Sequence, residues 1–173
     1  MVRLEEYEEP LDRYGARLYT VRRMNDQREW NALNETDDFF SRHQQIEALR
    51  EEIGLMALAT KRLRQYGANE KYFRHEKEAH ALAGKKMLSE LGWEEDEYCL
   101  RLYCIRWTSE IVVLLNGGCK TAQSAQQCPN VSNHFDFANQ VAHSLDEMRR
   151  QEDLILNYNR LTLWDGSNIE LDI

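Results

Sequence analysis

The chain has 173 residues, 42% of them hydrophobic and 30% charged, with a formal net charge of −8. Two prolines and eight glycines argue against a disordered or fibrous chain. The acidic balance argues against nucleic-acid binding by bulk attraction, because phosphate neutralisation needs a surplus of Lys and Arg on at least one face. What remains is one soluble globular domain over 1–173, with a local basic patch still allowed.

Cys99, Cys104, Cys119 and Cys128 lack the paired spacing of a zinc site, and no signal peptide precedes them, so reduced, mostly buried thiols are expected. The opening MVRLEEYEEPLD carries acids where a signal peptide needs an apolar run. No stretch approaches the roughly 18 apolar residues of a membrane span. A cytoplasmic protein without a membrane partner is the expectation.

In chain order, Arg17 to Met24 alternates as a strand, with Leu18 and Thr20 on one side and Tyr19 and Val21 on the other. Thr36, followed by Asp37 and Asp38, is a helix start. Phe39, Ile46, Leu49, Ile53, Met56 and Leu63 continue at helical spacing to Tyr66, with Gly67 as the stop. A single rod of that length would run to about 45 Å. A bend near Gln45 or at Gly54, giving a helical hairpin, is therefore expected.

Lys71 to Glu76 reads as a strand with Phe73 inward, while Glu78 to Leu91 reads as a helix and, with the acidic loop after Gly92 up to 97, as an inserted segment. Leu100, Leu102 and Cys104 alternate with Arg101, Tyr103 and Ile105, as in a half-buried strand. After a turn at Thr108 to Glu110, Ile111 to Leu115 is apolar throughout, as in a strand covered on both faces and closed by a glycine pair. Ser132 opens a helix with a Phe135, Ala138, Leu145 and Met148 stripe. The end reads as a β-hairpin, Leu161 to Trp164, a turn at Asp165 and Gly166, and a return over Ile169 to Ile173. The fold class is thus α+β.

HEKEAH, from His75 to His80, misses the HExxH zinc helix, because histidines five apart do not share a helical face. NGGCKT lacks the spacer of a phosphate loop. No metal and no cofactor are expected. What remains is a set of cations and aromatics on adjacent strands: Tyr72, Arg74 and His75, then Arg101 and Tyr103, then Lys120. Such a set suits RNA cleavage without metal, in which a base helps the 2′-OH attack and cations stabilise the phosphorane. It also suits plain solvated or salt-bridged arginines, since 30 acids are present to pair with them.

YFRHE, then CLRLYCIRWTSEIVVLLNGGCKTAQS, then a helix, resembles the RelE/HigB-like toxin superfamily of bacterial type II toxin–antitoxin pairs. Arg74, Arg101, the strand Ile111 to Leu115, and Lys120 with Thr121 stand at the places of that group's motifs, and the resemblance covers about 46–147. It implies a strand and helical hairpin packed on a small twisted antiparallel sheet with a C-terminal helix, so that the terminal hairpin over 154–173 is an extension. It implies a ribosome-dependent mRNA endoribonuclease. Arg74, Arg101 and Lys120 would hold phosphate charge, His75 or Tyr103 would do acid–base work, and Tyr72 and Arg106 would contact RNA. The implied partners are mRNA on the ribosome and a small helix-turn-helix antitoxin, and a homodimer is compatible. The same resemblance leaves two alternatives, a non-catalytic interaction module and a gyrase-inhibiting toxin of the ParE kind.

Overall fold

The computed structural model describes residues 1–94 and 98–173. Strand β1 (Val2–Glu8) pairs antiparallel with β2 (Arg17–Arg23). Helices α1 (Glu35–Gln44) and α2 (Arg50–Tyr66) follow, then β3 (Phe73–Glu76), β4 (Ala79–Leu82), α3 (Lys85–Glu90), β5 (Leu100–Arg106) and β6 (Ile111–Cys119). The chain closes with α4 (Ser132–Arg150), β7 (Leu154–Asn157), β8 (Arg160–Leu163) and β9 (Glu170–Leu171).

The fold is α+β. Seven strands form one sheet in the order β3-β4-β5-β6-β2-β1-β9, and β7 and β8 form a separate ribbon. The sheet is mixed, because β2 and β6 run parallel, with Arg17 opposite Ile111. Parallel neighbours need a long crossover, and here the helical hairpin and the β3–β5 meander supply it.

Both sheet faces are covered. Leu18, Phe39, Met56, Leu63, Leu102 and Leu114 fill the core on the α1–α3 side. Tyr19, Val21, Val113, Phe135, Val141 and Leu145 fill the core under α4. The alternation of β2 and β5 between the two cores and the doubly covered β6 follow the sequence pattern, but β5, expected to be half-buried, is buried on both faces from Leu100 to Ile105, because both sheet faces are covered.

The helical hairpin bends after Gln44, where a 3₁₀ turn over Glu47–Leu49 leads into α2. Gly54 lies inside α2, facing open space. Asn34, not Thr36, caps α1, its side chain accepting from the Asp37 N–H at 2.8 Å. Thr36 is instead buried, its hydroxyl 2.7 Å from that of Thr20 and donating to the Leu115 carbonyl at 3.3 Å.

Three further expectations are corrected. The helix expected over Glu78 to Leu91 is β4 followed by the short α3, because Ala79 and Ala81 enter the α4-side core while Leu82 enters the opposite one. Pairing on β4's two edges overrides helix propensity. The acidic loop expected after Gly92 lies, at 95–97, outside the described residues.

The terminal hairpin is β7–β8, turning at Tyr158 (φ 56°) and Asn159. Asp165 and Gly166 (φ 73°) then return the chain to β9, which extends the main sheet beside β1. The Leu161 N–H donates to the Tyr19 hydroxyl at 2.9 Å, fixing the ribbon over β2, away from the β3 edge.

Last, Cys99 and Cys119 are disulfide-bonded, not reduced. They are 20 residues apart in sequence, but β5–β6 pairing brings their Cα atoms to 4.8 Å. Cys104 and Cys128 remain buried thiols. Among the described residues no helix is long and apolar enough to cross a membrane.

Candidate functional site

The strand pairs divide the expected site residues between the two sheet faces. Arg74 stands opposite Ala81, and Ala81 opposite Tyr103. Cross-strand partners share a face, and Ala81 and Tyr103 belong to the α4-side core. Arg74, Tyr103 and, two residues along β5, Arg101 therefore share the α4 side. His75 stands opposite His80, one residue out of phase, on the α1–α3 side. Arg106 also lies there, its Nε donating to the Ala68 carbonyl at 2.6 Å and its Nη1 to Glu70 Oε1 at 3.5 Å. Tyr72 ends a 3₁₀ turn and packs, partly buried, on that same core. The fold thus joins Arg74, Arg101 and Tyr103 and separates them from His75, Tyr72 and Arg106. Lys120 follows Cys119 at the sheet end that carries Arg101, its backbone N–H held by the Cys99 carbonyl at 2.8 Å.

The joined set is covered rather than open. Tyr103 is fully buried with its ring edge-on to Phe135 of α4 at 5.9 Å, and among the described residues its hydroxyl has no partner. Burial first, and the Glu76 carboxylate second, push that phenol far above its ordinary value.

Arg101 is 8% exposed. Its Nη1 donates to the Leu100 and Tyr98 carbonyls at 3.0 and 3.5 Å, while Nε has no partner among the described residues. Burial and the neighbouring Arg74 charge lower its pKa. Arg74 Nε donates to the Ala83 carbonyl at 3.4 Å.

Glu76, absent from the sequence-based set, stands opposite Ala79 on this same face and acts electrostatically on both Arg101 and Tyr103. The signal that could have found it is parity, since Glu76 is two residues from Arg74 along a strand.

The glycine pair serves packing. A Cβ on Gly117 would fall 1.7 Å from the Arg101 carbonyl oxygen, and one on Gly118 2.7 Å from that of Asn130. Both glycines extend β6, which continues to Cys119 beyond the expected Leu115. A register shift between Leu102 and Cys104 sets Leu115 and Asn116 against Tyr103. Leu115 joins the α4-side core and Asn116 turns to α1.

The two histidines of HEKEAH face each other across a tight β3–β4 turn at Lys77 (φ 63°), with ring centroids 5.0 Å apart. Among the described residues no group of three or more His, Cys, Asp or Glu could hold a metal ion. His80 is held neutral, its pKa lowered to about 4 by burial and then by the charges of His75 and Arg106.

Two clefts with charged side chains on their walls flank these elements. One, about 780 Å³, opens between β3 and α3, with Lys71, Arg74, Lys85 and Lys86 around Phe73. The other, about 510 Å³, lies between α1 and the first turn of α4, with Arg23, Glu35, Asp38, Asn116 and His134 on its walls. In the second, Arg23 forks onto Glu35 at 2.7 and 3.1 Å. Asp38 accepts from Arg42 at 2.8 Å and from Asn116 at 2.9 Å. Burial raises the Asp38 pKa, but those two donors outweigh it and leave the carboxyl below its ordinary value. His134 is kept neutral, its pKa lowered to about 4 by burial and then by Arg42 and Arg23.

Comparison with protein-family models, curated proteins and solved structures finds no match for this chain.

Proposed function

We propose that the protein acts on RNA as a metal-independent endoribonuclease of the RelE/HigB-like toxin kind, holding a phosphate against Arg101 and Arg74. The observation that carries this reading is Arg101, a guanidinium 8% exposed that meets only backbone carbonyls among the described residues. A buried guanidinium whose hydrogen bonds reach no carboxylate, with Glu76 acting on it only through space, is incompletely compensated, and a buried charge left so costs several kcal/mol. A phosphate both removes that cost and fits the planar guanidinium fork. Arg74 beside it, and Lys120 at the strand exit, add charge to meet a developing phosphorane. Glu76, on the same face, is the carboxylate placed to take the 2′-OH proton. The resemblance in the YFRHE and CLRLYCIRW runs supports the same reading, which also includes a cytoplasmic setting, mRNA on the ribosome and a small helix-turn-helix antitoxin.

Induced expression in a bacterial culture, with primer extension on total mRNA, tests it. Growth arrest and new mRNA ends are expected from the native chain, and both should vanish when Arg101→Ala is combined with Lys120→Ala. Unaltered toxicity in that double variant removes the site. A second reading, a non-catalytic interaction module, is favoured by one observation, the Tyr103 hydroxyl sealed beneath α4. It predicts healthy growth, a stable protein complex and no new mRNA ends.

A further inference from the structure

The cleft between β3 and α3 is where the positive charge of this acidic chain collects. Its walls carry Lys71, Arg74, Lys85 and Lys86, with one carboxylate, Glu90, which is already 3.2 Å from Arg62. Lys71, Lys85 and Lys86 are exposed, and none has an ion pair among the described residues. Elsewhere several of the chain's arginines are matched: Arg3 with Glu170, Arg22 with Glu5, Arg23 with Glu35, Arg64 with Glu8. The floor is the buried Phe73, and an apolar wall behind a cluster of like charges focuses their field into the opening. Arg74 belongs both to this cleft and to the charge environment of Arg101, so it stands between the two.

We propose that this cleft is a backbone-binding track for single-stranded RNA, taking phosphates beyond the one held at Arg101. It rests on the RNA reading above, and it assigns Lys71, Lys85 and Lys86 a role that leaves bond cleavage to the other face. Lysine suits it, since three ammonium point charges on flexible stems follow a phosphate chain without reading its bases.

The test is fluorescence anisotropy of the full chain with an end-labelled oligouridylate of about twelve nucleotides, titrated over a range of salt. Lys71→Ala with Lys85→Ala and Lys86→Ala is expected to weaken binding about tenfold or more at low salt and to reduce the slope of log affinity against log salt by about 2. The corresponding three Lys→Arg changes should retain both. If the triple alanine variant binds with native affinity and slope while Arg101→Ala weakens binding, the track is overturned and the RNA reading stands. If the native chain binds labelled polyglutamate in the cleft and no RNA, both are overturned, and the cleft is a site for acidic peptide.

Discussion

The cleft beside α4 and the cleft beside α3 are both lined by ionisable side chains, yet they are in opposite electrostatic states. In the first, Arg23 is forked onto Glu35, and Arg42 and Asn116 converge on Asp38, so each charge has a partner supplied by the fold. In the second, three lysines face solvent with no carboxylate in ion-pairing reach among the described residues. A satisfied network holds secondary structure together, here tying α1 to β6. An unsatisfied cluster is left with charge to offer a ligand. Composition alone could not distinguish the two, because both draw on the same stock of Arg, Lys, Asp and Glu.

The largest effect expected around the two clefts comes from the disulfide at the α3 end of the sheet. Reducing Cys99–Cys119, or replacing both by alanine, should lower stability by about 3 kcal/mol, as expected for a closed loop of this length. Urea unfolding measures the loss. Hydrogen exchange should show reduced protection at the Leu100 and Lys120 amides while the Thr36 amide keeps its own.

Next, Asn116→Ala should cost about 2 kcal/mol, because it leaves Arg42 and Asp38 without their shared amide. A loss below about 0.5 kcal/mol, the scale of an ordinary surface change, would mean that the α4-side cleft is not the structural network described.

A pH series follows. The His134 and His80 pKa values fall from 6.5 to about 4 on folding, so the unfolded chain takes protons first as the solution is acidified. Stability fully present above pH 6.5 should therefore decline as pH falls toward about 4. His134→Gln should flatten that part of the curve, and an unchanged slope would argue that His134 takes up its proton equally in the folded and unfolded chains.

Smallest of all should be the stability change of the triple lysine-to-alanine variant, within about 0.5 kcal/mol. A larger loss would make those lysines structural and erase the contrast with the α4-side cleft.

How much of this was legible in the sequence depends on the range of the interactions. The alternation of Leu100 to Ile105 and the unbroken apolar run of Ile111 to Leu115 announced their strands, because a period of two is a local property of the backbone. The helices of the hairpin and α4 were legible for the same reason, with a cap displaced by two residues, from Thr36 to Asn34. The pairing of Arg101 with Tyr103 on one face followed from parity.

Only the tertiary structure decided the rest. Whether Ala79 to Leu82 is helix or strand depended on an edge offered by β5. Whether Cys99 meets Cys119 depended on register. Whether Tyr103 is open or sealed depended on where Phe135 of α4, more than thirty residues later in the chain, comes to rest. Local pattern determines which side of an element a residue occupies; what covers that side, and which charges find partners there, is set by contacts between segments distant in sequence.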